Sequence, residues 1–351
     1  MPVIDADAHV IETEATWAYM TGADKKFRPS MVTQEVEGGE PRTFWMVDGR
    51  LFTSRVQVQT GGLDQGDHIP TPDDARLLSN VGSRLRHMDE LGTDTQVLYP
   101  TIFILPVTRR ADVELALARS YNRWMADVFS QSNGRLPWTV VPSVLNMTES
   151  LEELRFGKEH GACGVFLRGL ESGNKMLSDA ALFPLYEEAQ RLDLSICVHT
   201  GNASFELMDL YPEEPGFSRF KLVGIGAFHH VLFNQIPKRF PSLRFGFIEL
   251  SAQWLPYAIA DLNRRFERLD RGVVDGVLKD NRIWVTCQTN DDLPVITSYV
   301  GDDNLLIGTD YGHADTSTEI YALQTFRNQG SISAESRRKI LDDNARAFYH
   351  V

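Results

Sequence analysis

The chain has 351 residues, 42% apolar and 24% charged, with Gly and Pro scattered, a composition that excludes extended disorder and fits one large folded unit. A formal net charge of -13 argues against nucleic acid or an anionic membrane as main partner, because both require a basic face. There is no run of about 18 apolar residues to span a bilayer, and the opening MPVIDADAHV enters a strand pattern with no export signal, so a cytoplasmic protein is expected.

Short apolar runs alternate with longer helical patterns along the whole chain, which is how a parallel sheet with crossover helices reads. Eight strands are predicted: Val3 to Val10, Thr95 to Thr101, Leu136 to Ser143, Cys163 to Gly169, Leu194 to Gly201, Leu243 to Glu249, Arg282 to Gln288 and Leu305 to Asp310. Helices are predicted over Asp73 to Leu91, Ala111 to Phe129 and Ala252 to Leu269 from their three-to-four spacing of apolar residues. Eight such units with nearly continuous apolar strands point to an α/β fold, a closed (β/α)8 TIM barrel spanning 1–351 as one domain. A doubly wound sheet lacks its Gly-rich dinucleotide turn here.

A polar segment over 24–72, with Asp48-Gly49-Arg50 and Gly61-Gly62, interrupts the pattern after the first strand. It leaves from the carboxyl end of that strand, so it reads as an insertion over the barrel mouth, a lid or an oligomer contact. Cys163, Cys197 and Cys287 lie far apart within apolar stretches and read as buried small hydrophobes, not a disulfide framework or a thiolate metal site.

Catalytic groups of a barrel sit at the carboxyl ends of its strands. The first strand ends in Asp7-Ala8-His9, the fifth in His199, the sixth in Glu249 and the eighth in Asp310, each breaking an apolar run. Alternation turns Asp7 and His9 to one side, and His199 and Asp310 can meet them from other walls. One such residue is an ordinary hydrogen-bonded strand end; four at matching positions point to a metal site. Glu12 reads either as a further ligand or as a loop hydrogen bond. His313 is a candidate to hydrogen-bond substrate or a ligand, and Arg168 to grip a substrate carboxylate. His229 and His230 are candidates for a ligand or proton-transfer role, and helical geometry allows only one of them to face the site. His68, His87, His160 and His350 read as solvent or packing residues, and Trp254, Tyr257 and Phe266 as helix packing.

These motifs, DADAHVIE, MDELGTDTQVLYPT, HTG, RFPSLRFGFIELSAQWLPY and LLIGTDYGH, resemble the amidohydrolase superfamily along nearly the whole chain, in the amidohydrolase-related branch that contains nonoxidative aromatic decarboxylases. Asp7 stands where hydrolase-type members begin His-x-His, and Glu249 where a His is common. Asp7, Glu249, Asp310 and Glu12 bring up to four negative charges, more than one divalent ion balances, and an oxygen-rich set suits two ions of iron or manganese. In this respect the chain is similar to amidohydrolase-related dinuclear oxygenases of the 2-aminoisobutyrate hydroxylase type. The resemblance implies a monooxygenase (an oxidoreductase) that uses O2 and an electron donor on a small carboxylate-bearing substrate, with a mononuclear Zn or Mn decarboxylase or hydrolase as the alternative. Association with itself or with a homologous chain is expected.

Overall fold

The computed structural model describes residues 2–39, 41–53, 71–212, 214–269, 276–314 and 316–351. Eight parallel strands follow one another in sequence order around one sheet: β1 (Ile4–His9), β2 (Thr95–Tyr99), β3 (Trp138–Val140), β4 (Ala162–Arg168), β5 (Ser195–His199), β6 (Phe245–Ile248), β7 (Ile283–Cys287) and β8 (Leu305–Ile307). The chain leaving β8 returns to β1. Ala8 bridges Tyr311, the Asp310 amide donates to Asp7 O at 2.9 Å, and the His9 amide donates to Tyr311 O at 2.7 Å. The expected TIM barrel is therefore the observed fold.

Every residue of β1, β4, β5, β6 and β7 is buried, which explains their unbroken apolar character: side chains fill the barrel on one side and pack under helices on the other. The third strand is shorter than predicted because Pro137 and Pro142 flank it without an N–H for the ladder. Helices α1 (Val81–Leu91), α2 (Ala111–Ser130), α3 (Leu222–Phe233) and α4 (Leu255–Arg268) are those that matter for the site. The single helix expected over Asp73 to Leu91 is two. A short piece, Asp73–Arg76, ends before Leu78 turns left-handed, and the Asn80 side chain caps α1 by accepting from the Ser83 amide at 3.1 Å. All three cysteines are buried and free. No helix among the described residues is long and apolar enough to cross a membrane.

The described part of the insertion forms a three-stranded antiparallel sheet, Ser30–Gln34, Arg42–Val47 and Arg50–Thr53. Asp48 and Gly49, both with positive φ, make its tight turn. Trp45 packs edge-on against Trp17, and Asp48 accepts from Thr108 and Arg110 in the chain beyond β2, at 2.6 and 3.0 Å. The remainder of the expected lid, 54–70, with Gly61, Gly62 and His68, lies outside the described residues.

The seam between β1 and β8 is stitched by a buried carboxylate. Asp5 accepts from the Thr309 amide at 2.9 Å, the Thr309 hydroxyl at 2.6 Å and Gln96 Nε2 at 2.9 Å. Burial outweighs these bonds and pushes the Asp5 carboxyl up from 3.8 to about 6. Because the folded value lies above the unfolded one, folding favours the neutral form. That contribution, about 3 kcal/mol, is full below about pH 4 and is lost as pH rises through about 6. Urea unfolding of wild type and Asp5→Asn should therefore give a stability difference that widens by about that amount from pH 7 to pH 4. A difference independent of pH would show that Asp5 does not titrate there.

Candidate metal centre

Register places the strand ends on one level. His199 lies opposite Arg168 of β4 and Ile248 of β6, and His9 lies opposite Tyr99. Glu249 and Asp310 follow their strands with left-handed φ values of 61° and 52°, a conformation costly for a non-glycine residue and often found where a side chain is held for function. One ligand atom each from Asp7, His9, His199 and Glu249 lies within 4.8 Å of the others, and a second such group joins His9 to Asp310 and His313. All six residues are buried.

The imidazole orientations decide what this cluster can hold. His9 Nδ1 lies 3.1 Å from Pro100 O and His199 Nδ1 2.9 Å from Thr200 O, so in each ring Nδ1–H donates to a carbonyl. Both Nε2 atoms then face inward, only 3.1 Å apart, with Asp7 Oδ1 at 3.5 Å from His9 Nε2 and 3.4 Å from His199 Nε2. Glu249 Oε2 is 3.5 Å from His199 Nε2, and Asp310 Oδ1 is 3.4 Å from His9 Nε2. Lone pairs from two imidazoles and a carboxylate repel one another across such gaps. The space between them requires a proton or a cation.

The same tension shapes the titration of the metal-free cluster. Burial by itself would raise the Asp7 carboxyl, but hydrogen bonds and charge from His199 and His9 hold it well below the usual carboxylate range. Burial works against the His199 imidazolium, yet Asp7, aided by Glu249, pushes it up to about 9. A proton thus sits where a cation fits, and the nitrogen and oxygen donors, without any thiolate, suit a divalent cation.

Asp310 and His313 form a separate pair beside this group. His313 Nδ1 is 2.8 Å from Asp310 Oδ1, and its Nε2 is 2.9 Å from Thr101 Oγ1. The Thr101 hydroxyl donates its own proton to Val10 O at 2.7 Å, so it accepts from His313. The ring thus carries a proton at Nε2, and its Nδ1 lies beside the Asp310 carboxylate. The ring stacks on His9 with centroids 3.7 Å apart, and Thr318 donates to the other Asp310 oxygen at 2.7 Å.

Other candidates lie elsewhere. Glu12 is buried, but its two oxygens accept the Thr101 and Ile102 amides at 2.9 and 3.0 Å; it holds the turn after β2 and is in neither ligand group. Arg168 does not offer its guanidinium to a ligand. It binds both oxygens of Glu171 and donates to Phe103 O at 2.8 Å. His229 and His230 are absent from both groups as well. On α3 it is Phe228 that turns inward, against Phe247 and Trp254, while His229 pairs sideways with Asp261 of α4 at 3.1 Å and His230 is half-buried. Tyr257 is 75% exposed, so it takes no part in the packing expected of it. His87, read from sequence as unremarkable, is buried with Nδ1 2.8 Å from the Tyr311 hydroxyl. A position one turn from Arg84 on the inner face of α1 was its only sequence signal.

The amidohydrolase family model matches residues 4–351. A search among curated proteins finds no match. Among solved structures, an amidohydrolase from Mycobacterium avium subsp. paratuberculosis K-10 superposes with a TM-score of 0.79 at 18% identity, covering 100% of this chain and 98% of that one. The 5-carboxyvanillate decarboxylase of Sphingomonas paucimobilis gives 0.70 at 14% identity, covering 100% and 99%. That of Novosphingobium aromaticivorans DSM 12444, complexed with manganese and 4-hydroxy-3-methoxy-5-nitrobenzoic acid, gives 0.70 at 16% identity, covering 100% and 96%. At these identities the likeness is one of fold.

Proposed function

The chain belongs to the amidohydrolase family, and from that premise we propose that it is a lyase working with one divalent cation, zinc or manganese, and that its reaction is the nonoxidative decarboxylation of a small organic carboxylate. The observation that carries this reading is the convergence of Asp7, His9, His199 and Glu249 on one buried point, beside an Asp310–His313 pair. The decarboxylases of like fold, one of them a manganese complex, support it.

Charge arithmetic supports one cation. Glu12 is spent on backbone amides, leaving Asp7, Glu249 and Asp310 with three negative charges. One divalent ion offsets two of these, and His313, beside Asp310, is placed to offset the third if it carries a second proton.

Asp7, His9, His199 and Glu249 would hold the cation, which when bound supplies Lewis-acid polarisation of a substrate oxygen. The chain's own groups do the rest. Asp310, held by Thr318, stands at the edge of the ligand group with His313 beside it, and this pair is placed to hold and move a proton. In decarboxylation the bond to the carboxylate breaks, its electron pair stays on carbon, and the Asp310–His313 pair delivers the proton that replaces CO2. Ile11, Trp45, Phe52, Ile104 and Phe220 line an adjoining apolar cavity and exclude water from the substrate's far side.

The second ligand group favours another reading, because His9, Asp310 and His313 could hold a further ion. That would make a dinuclear iron or manganese monooxygenase with O2 and an electron donor as partners. One experiment separates the two readings. The chain is loaded with Mn2+, Zn2+ or Fe2+, its metal is counted, and CO2 release and O2 uptake are followed over a panel of aromatic and aliphatic carboxylates. The expected result is one ion per chain and CO2 release at equal rates with and without O2. Two redox-active ions with O2 consumed in step with product would favour the oxygenase, and no metal uptake would sink both readings.

A further inference from the structure

We infer that Arg84 is a positioning residue for the cation site, setting the His9 backbone against the chain that carries Asp310 from outside the barrel wall. The inference rests on the proposed role of His9 as a ligand. Arg84 projects from α1 and is fully buried. Its Nη1 and Nη2 donate to His9 O at 3.3 and 3.4 Å, its Nε donates to Gln96 Oε1 at 2.6 Å, and Nη1 also reaches Ala75 O at 3.4 Å. Its guanidinium lies 3.5 Å from the centroid of the Tyr311 ring.

A buried guanidinium is costly to desolvate, and an apolar side chain would serve stability at least as well in this wall. What the apolar side chain cannot do is hold three chain segments in one planar fork. Gln96 passes the grip on, donating from Nε2 to Asp5 Oδ2 at 2.9 Å, and Asp5 in turn holds Thr309, the neighbour of Asp310. Tyr311, beneath the guanidinium, accepts the His9 amide at 2.7 Å and is anchored at its hydroxyl by His87 of the same helix.

Both backbone polar groups of His9 are thus fixed, the carbonyl by Arg84 and the amide by the residue on which Arg84 lies. Nδ1 on Pro100 O then leaves the imidazole one direction. Without Arg84 the His9 carbonyl loses its buried donors, β1 and the Asp310–Tyr311 segment are free to separate, and the two imidazole Nε2 atoms lose their common focus. Partners of this kind, one step outside the ligands, govern metal affinity by about 10- to 100-fold in known sites.

The test is a Mn2+ titration of the full chain followed by electron paramagnetic resonance, for wild type, Arg84→Met and Arg84→Lys, well below the melting temperature of each. Arg84→Met is expected to weaken Mn2+ binding about tenfold or more and to broaden the bound-ion spectrum. Arg84→Lys, with one donor able to reach His9 O but no fork, is expected to recover part of that loss. Should Arg84→Met not fold, the lysine variant decides alone, with weaker binding and an altered spectrum expected. Wild-type affinity and spectrum in the folded variants would overturn the inference and leave Arg84 a stability residue only. Failure of wild type itself to bind Mn2+ would instead remove the cation reading on which the inference stands.

Discussion

A His199→Ala chain, purified with Mn2+ or Zn2+ supplied, is expected to retain almost no metal and to lose its activity. The reasoning starts from β5, whose last residue brings Nε2 within 3.1 to 3.5 Å of His9, Asp7 and Glu249 at once. Structural zinc sites are worth about 10 to 16 kcal/mol, so one ligand of four carries on the order of 3 kcal/mol, or about two orders of magnitude in affinity. The loss should exceed that figure, because Asp7 and Glu249 then face each other with no imidazole between them. Metal content after dialysis, and a competition titration against a chromogenic chelator, measure the effect. A variant that keeps one ion per chain at wild-type affinity would remove His199 from the ligand set.

The barrel was legible from sequence because its strands are buried on both faces, and a strand buried on both faces is apolar throughout. A polar residue at its end then stands out, which is why Asp7, His9, His199, Glu249 and Asp310 could be named beforehand and why the structure finds them at one level. The turn Asp48-Gly49, between two short apolar runs, carried a hairpin signal as well, although the sequence reading treated that stretch only as polar insertion.

What failed to show in the sequence depended on direction or on distant partners. Periodicity tells that α3 is helical but not which way its face turns, so His229 and His230 were drawn toward a site from which Phe228 displaces them. For Glu12 the sequence left open a ligand role or a loop hydrogen bond, and the second is observed, with amides of residues 101 and 102; Arg168 pairs with Glu171 and with a carbonyl from the same distant turn. The left-handed φ of Glu249 and Asp310, which turns each carboxylate from the strand line, leaves no trace in residue type. The Arg84, Gln96 and Asp5 chain joins a helix to two strands through side chains 12 and 91 positions apart, with no local spacing to betray it.

The substitution Gly308→Ala is expected to disrupt the seam of the barrel severely. Gly308 follows β8 where that strand runs hard against β1. A Cβ built there would lie 2.3 Å from Asp7 Cβ, 2.8 Å from Asp7 N and 3.0 Å from Asp7 Cα. Contacts of that length do not occur, and two of the three atoms are backbone, so no rotamer change relieves them. Something must move, and each choice is expensive. Pushing β1 outward breaks the bonds that close the barrel, Asp310 N–H to Asp7 O and Thr309 to Asp5. Pushing β8 outward withdraws Asp310 from His9. Overpacking of this kind costs about 1 to 3 kcal/mol where side chains can adjust, and more is expected where they cannot. Urea unfolding should therefore show a loss of at least about 3 kcal/mol, or no folded protein, and any folded fraction should hold less metal than wild type. An alanine variant with wild-type stability and full metal content would mean that β1 and β8 do not approach as closely as described, and the assignment of Asp7 and Asp310 to one site would lose its geometric basis.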